Sequence, residues 1–369
     1  MRPVRRLGAP APGGLALPAA APTGGQLYAP RGVWTDGRRV VVADTGNHRV
    51  LVWHDWPQRD GADADVVLGQ PGRTSEGPAA GGRGPDNGLH LPTAVALAGG
   101  RLVVADAWHH RLLVWDALPQ RDDTPPDAAL GQPDLHAVEA NRGGGPGVGT
   151  LYWPFGFGWA GGTFWVADTG NRRVLGWTGV PADALPDPAR PADVLLGQPD
   201  PAGREENRGE GVGPRSFRWP HAVTGDADRL LVADAGDHRV LGWQPVPAAD
   251  ADATLVLGQP DAVSAAELSY LPQGPARLRF PYAAALEGSR LAVADTANNR
   301  VLVWDDLPGH GTGLPADTVL GQPDFDAHGE NRWDAVADDT FCWPYGLSLA
   351  GDVLAVADSG NNRVVLWRA

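Results

Sequence analysis

Six aspartates in this chain of 369 residues, Asp44, Asp106, Asp168, Asp234, Asp295 and Asp358, are each followed five positions later by an arginine. A carboxylate and a guanidinium so close in sequence could move a proton, bind an anion or form an ion pair. The pair recurs in six copies, however, and a catalytic centre needs asymmetry. The repeated Asp and Arg are therefore read as structural, pairing and capping backbone groups across a tight turn.

Departures from the repeat carry more information. Between Asp106 and Arg111 the usual Thr-Gly-Asn is replaced by Ala107-Trp108-His109, with His110 next. An exposed Trp108 beside His109 and His110 is expected to touch a protein partner. His48 and His238 occupy the position of His110 in other copies. Histidines in non-adjacent copies lie too far apart to share one ion, so no metal site is expected there. The acidic run Asp60 to Asp65 lacks the twelve-residue calcium-loop pattern with its Gly and terminal Glu. The Gly-rich stretch Gly143 to Gly149 lacks the strand and helix that flank a phosphate-binding loop. The single cysteine, Cys342, excludes an intramolecular disulfide, and its apolar setting Phe341-Cys342-Trp343 points to an inert thiol. No HExxH, GxSxG or CxxC motif occurs, and no cofactor is expected.

Composition narrows the partners. All 30 basic residues are arginine, so the chain offers neither a Schiff-base lysine nor a P-loop lysine. A net charge of −14 repels phosphate backbones, and nucleic acid is not the expected partner. No apolar run approaches the ~18 residues of a membrane span. The N-terminal MRPVRRLGAPAPGGLALPAA is too rich in Gly and Pro for a signal sequence, and a cytoplasmic location is the expectation. With 50 Gly and 35 Pro the chain is full of turns, which its periodic apolar runs assign to many short strands.

The elements that must position these residues form one repeat. VVADTGNHRVLVW at 41–53 returns at 103–115, 165–177, 231–243, 292–304 and 355–367, a period of about 62 residues. A second phrase, Leu-Gly-Gln-Pro, ends at Pro71, Pro133, Pro199, Pro260 and Pro323. A third places an apolar residue before Pro, as in Leu91-Pro92, Trp153-Pro154, Trp219-Pro220, Phe280-Pro281 and Trp343-Pro344. Each unit reads as four short strands, and six such units around an axis make a six-bladed β-propeller with antiparallel blades. From the Pro of one Leu-Gly-Gln-Pro to the next repeated Asp is 35 residues in all five copies. Leu7-Gly8-Ala9-Pro10 is a degenerate sixth copy, and the last repeat reaches Ala369 with no Leu-Gly-Gln-Pro after it. Residues 1–10 are therefore predicted to complete the C-terminal blade, closing a single propeller over 1–369 and removing a sheet edge.

The unit Pro-x-Gly-Val-Ala followed by Val-Ala-Asp-Thr-Gly-Asn-x-Arg-Val resembles the NHL repeat, and copies 281–304 and 343–367 are the most similar. The LGQPD linkers, with Glu330-Asn331-Arg332, Glu206-Asn207 and Asn141-Arg142, resemble a bacterial subtype of NHL protein. The resemblance covers essentially the whole chain. It implies a propeller that acts as a protein-interaction domain, an RNA-binding domain, a sensor or, in some relatives, an enzyme, so fold leaves function open.

The repeated turns and the long connectors are expected on one face, called the top. The residue after each repeat's Pro should line the channel mouth there: Arg31, Thr93, Phe155, His221, Tyr282 and Tyr345. Two functional readings follow. The first is a non-catalytic scaffold or accessory subunit of a bacterial complex, with a protein partner. The alternative is a lactonase-like hydrolase or lyase with a small molecule at the axial channel. Against the second, only His221 in that ring is an obvious metal ligand.

Overall fold

In the computed structural model, which describes residues 1–8, 21–182, 184–269 and 271–369, the strands form six small antiparallel sheets around an axis. The chain is a six-bladed β-propeller. The second blade shows the pattern: Ala94–Ala98 on the inside, then Arg101–Asp106, Arg111–Trp115 and the short outer strand Ala128–Leu130. Val, Leu and Ala dominate these strands because each sheet buries both faces between its neighbours. The core accordingly lies between blades. Val41, Val50 and Leu68 of the first blade pack with Val95, Val104 and Leu113 of the second.

The last blade is closed as predicted. Arg2–Gly8 pairs antiparallel with Arg363–Arg368, which pairs in turn with Val353–Asp358 and Pro344–Ala350. Gly8 adopts φ +91°, and a Cβ there would meet Asn362 O at 2.5 Å, so only glycine fits. Gly69, Gly131, Gly197, Gly258 and Gly321 of the Leu-Gly-Gln-Pro phrases share this backbone, which places Leu7-Gly8 as their counterpart. Ala9 and Pro10, the rest of that phrase, lie outside the described residues. The acidic loop at Asp60 anchors the closing strand: Asp60 accepts the Arg6 N–H at 3.1 Å and Arg5 Nη1 at 3.2 Å.

One sheet departs from four strands. Gly311–Thr312, in the outer loop of the fifth blade, adds in parallel beside Leu255–Leu257 of the fourth. Variable outer loops thus stitch neighbouring blades as well as filling space. The six repeated tryptophans are buried, and Trp53, Trp115, Trp177, Trp243 and Trp304 each donate their indole N–H to a carbonyl of the following loop. Among the described residues no helix is long and apolar enough to cross a membrane.

Candidate functional site: an aromatic face around the channel mouth

The repeated Asp and Arg build the platform. In each blade they form a fully buried ion pair, with N–O distances from 2.7 Å in Asp44–Arg49 to 3.2 Å in Asp234–Arg239. The second oxygen of Asp44 accepts the Tyr28 N–H at 2.7 Å. Arg49 spends its remaining donors on the carbonyls of Thr23, Gln26 and Arg73. A buried guanidinium with all three nitrogens bonded in this way holds the long connectors down over the turns. The top connectors are thus parts of the scaffold, as their fixed length suggests.

The Asn-Arg linkers have the same purpose. Asn141 and Asn171 exchange amide hydrogen bonds of 3.1 and 2.8 Å, and Asn331 and Asn361 do likewise. In the second blade His109 replaces the turn asparagine, and the facing linker position, one repeat before Asn141, is Ala79. The smaller residue leaves room for the larger ring.

The six residues that follow each repeat's Pro come together. Arg31, Thr93, Phe155, His221, Tyr282 and Tyr345 line one cavity of about 110 Å³ on the axis. Pairing in four blades skips one residue after the Pro, between Pro154 and Gly156, Pro220 and Ala222, Pro281 and Ala283, and Pro344 and Gly346. That bulge turns Phe155, His221, Tyr282 and Tyr345 out of the ladder and toward the axis. Their rings touch in sequence. Phe155 and His221 lie 4.5 Å apart, His221 and Tyr282 4.4 Å, and Tyr282 stacks on Tyr345 at 4.6 Å. Arg31 completes the circle over the Tyr345 ring at 4.8 Å. Burial, then the Arg31 charge, pushes the His221 pKa down to about 3, so the imidazole is neutral. Burial also raises Tyr282 and Tyr345, which stay protonated. None of these groups is poised to exchange protons near neutral pH. The ring is suited to packing and hydrogen bonding.

Trp108, His109 and His110 are placed differently from the expectation of an exposed contact. His109 is only 6% exposed and takes the asparagine role, its Nδ1 at 2.9 Å from Asp106 Oδ2. His110 is half-buried, and its Nδ1 accepts the Trp153 N–H at 3.2 Å. Trp108 is half-buried against Trp153 at 5.5 Å and Phe155 at 5.6 Å. The turn therefore faces the aromatic girdle, with His109 Nδ1 and His110 Nδ1 both engaged by neighbouring groups. Reading the sequence alone also misses His90, whose ring lies 5.2 Å from His48 and 5.3 Å from His109. Among the described residues no cluster of three or more His, Cys, Asp or Glu side chains is arranged to hold a metal ion.

A feature absent from the sequence reading is an aromatic cleft of about 540 Å³ above the fourth to sixth blades. Trp219, Phe280, Trp333 and Trp343 form its walls, with Arg279 and Glu330. Tyr282 belongs both to this cleft and to the channel cavity, and Trp219 links it to a smaller hollow beside Tyr152 and Trp153. Trp333 is 76% exposed and Trp343 41%. Trp333 also sits at φ +60°, at a linker position where the sister copies have Gly143 and Gly209 at +77° and +73°. A bulky residue held left-handed costs about 1–3 kcal/mol. The signal was legible as Asn331-Arg332-Trp333 against Asn141-Arg142-Gly143 and Asn207-Arg208-Gly209.

A scan with family models and a comparison with curated proteins each give no match. Solved structures do match. The structure of U3-55K aligns over 96% of this chain and 100% of its own, at 12% identity and a TM-score of 0.50. A streptogramin B lyase aligns over 95% of both chains at 11% identity and 0.45. A chain of the nidogen/laminin complex aligns over 87% of this chain and 85% of its own, at 15% and 0.46. The likeness is one of fold.

Proposed function

We propose that this chain is a single NHL-type propeller domain over 1–369, of bacterial subtype and cytoplasmic, that binds a protein partner through its aromatic top face. The observation that carries the reading is Trp333. A large apolar side chain, 76% exposed and left-handed where sister loops use glycine, adds strain and exposes apolar surface. Neither helps folding, and both are explained by contact with a second molecule. Aromatic anchors set in a cleft and ringed by paired polar groups are the make-up of interaction hot spots. Trp108, Trp153, Trp219, Phe280 and Trp343 extend the same surface around the mouth.

The test is a pull-down from cells of the source organism with wild-type and W333G protein as bait. A stoichiometric partner held by the wild type and lost by W333G is expected. A partner retained by W333G, or none with either bait, would count against the reading.

A small ligand at the channel mouth is the second reading, favoured by Arg31. Its guanidinium lies over Tyr345 and makes no ion pair among the described residues, although acids outnumber arginines 44 to 30. A small anion held by Arg31, with Thr93, Phe155, His221, Tyr282 and Tyr345 around it, would supply the missing charge. Thermal shift of wild type and R31A with simple carboxylates and phosphate tests this.

A further inference from the structure

The top-face cleft leaves a specific set of groups unpaired, and that set describes its occupant. Trp343 donates its indole N–H to Glu330 Oε1 at 3.0 Å. The indole N–H groups of Trp219 and Trp333, in contrast, have no acceptor among the described residues. Asn299 is engaged at both ends of its amide, accepting the Trp343 backbone N–H at 2.9 Å and donating to the His328 carbonyl at 3.0 Å. What remains is a set of aromatic faces and two indole donors, with the His328 ring and one Glu330 oxygen as the other polar groups of the lining. Such a surface suits a ligand rich in carbonyl oxygens and poor in N–H groups.

Charge narrows the class further. The arginines around the cleft are neutralised: Arg279 pairs with Glu267 at 2.8 Å, Arg218 with Glu206 at 3.3 Å and Arg332 with Asp339 at 2.9 Å. An unpaired guanidinium of this face among the described residues, Arg31, lies over Tyr345 at the channel mouth, and a single cation there argues against a phosphate chain and so against single-stranded nucleic acid despite the aromatic rings. Glu330, exposed in the wall, keeps Oε2 without a hydrogen bond among the described residues. The whole chain carries −14, so a basic group is drawn to this side. A lone alkylammonium would be lost in a cleft of about 540 Å³, a volume in the range of drug-sized and short-peptide ligands.

Proline-rich peptide fits both requirements. Proline has a carbonyl but no N–H, and its polyproline II form is rigid before binding, so little entropy is lost on docking against aromatic ridges. Resting on the reading of the top face as a partner-binding surface, we infer that this cleft takes a proline-rich segment in polyproline II conformation. A basic residue beside the segment meets Glu330. Pyrrolidine rings pack between Trp333, Trp343 and Phe280, and the segment's carbonyls accept from Trp219 and Trp333.

The experiment titrates fluorescein-labelled peptides with the full chain and follows anisotropy. The probes are an oligoproline with an arginine at each end, the same oligoproline ending in serines, an arginine-ended Gly-Ser repeat, and oligouridine RNA. Saturable binding of the arginine-ended oligoproline, tighter than all three others, is expected. W333G, which installs the residue of the sister loops and keeps the fold, should weaken it roughly tenfold while Tm holds or rises as the left-handed strain is relieved. E330Q should erase the preference for arginine over serine ends. Equal binding of the Gly-Ser peptide, tighter binding of the RNA, no saturation by oligoproline, or an unmoved affinity in W333G would each overturn the inference. If oligoproline fails while W333G still loses a captured partner, the partner-binding reading stands and the proline-rich occupant falls.

Discussion

Trp153 donates its backbone N–H to His110 Nδ1 at 3.2 Å, tying the turn of the second blade to the entry of the third. The same clamp joins Leu91 to His48, Phe280 to His238, Trp343 to Asn299 and Ala29 to Asn362. In all five the clamped residue has φ between 45° and 53°, so the hydrogen bond offsets a left-handed backbone just before proline. Arg172 has no acceptor to offer at the remaining junction. There Trp219 is not left-handed, and its N–H turns to Asp234 at 3.0 Å.

An imidazole can accept at Nδ1 only when that nitrogen carries no proton. Burial, then the charges of neighbouring histidines, pushes the pKa of His48 and of His110 down to about 4. The unfolded chain takes up these protons near the ordinary histidine value of 6.5, whereas the folded chain resists until about 4. Their contribution to stability is full above the unfolded value and is lost as pH falls from there toward 4. The double variant H48N/H110N, using the side chain found at 299 and 362, should keep the clamps and flatten this acid loss. Urea unfolding of both proteins at several pH values checks it. The difference between them cancels the buried carboxylates, and identical pH slopes would refute the account.

Removing one partner of a buried ion pair strands the other. D168A leaves Arg173 buried without its carboxylate and frees the Tyr152 N–H that Asp168 also holds. A loss of about 3–5 kcal/mol is expected. D55A at the exposed Arg38 pair should cost under about 1 kcal/mol. Chemical denaturation of the two variants provides the comparison.

Closure through the first strand predicts that G8A is costly. Alanine at φ +91° brings Cβ against Asn362 O, and about 1–3 kcal/mol of strain follows, read as a lowered Tm. Deleting residues 1–8 uncovers the edge of Arg363–Arg368 and should lower Tm further and promote aggregation. An unchanged Tm in the deletion would contradict closure.

Cys342 should resist alkylation. Burial first, then Glu330 and Asp358, pushes its pKa up to about 12, so almost no thiolate exists at pH 8. Iodoacetamide labelling followed by mass spectrometry should show an unmodified native protein and full modification in denaturant. Rapid native labelling would contradict this.

The sequence by itself determined the blade number, the N-terminal closure and the structural role of the Asp–Arg pairs. Each of these follows from strict periodicity, because a repeated unit must place equivalent residues equivalently around the axis. The tertiary structure alone decided what happens where connectors of one blade meet turns of the next. His109 reads as a surface residue until Asp106 and the His90 ring pack against it. Gly311–Thr312 becomes a strand only because Leu255–Leu257 offers an edge. Trp219, Phe280, Trp333 and Trp343 form one cleft although they span 125 positions of chain, from 219 to 343. Periodicity carries no information about such meetings, since they depend on side-chain size and unpaired polar groups after the blades have packed.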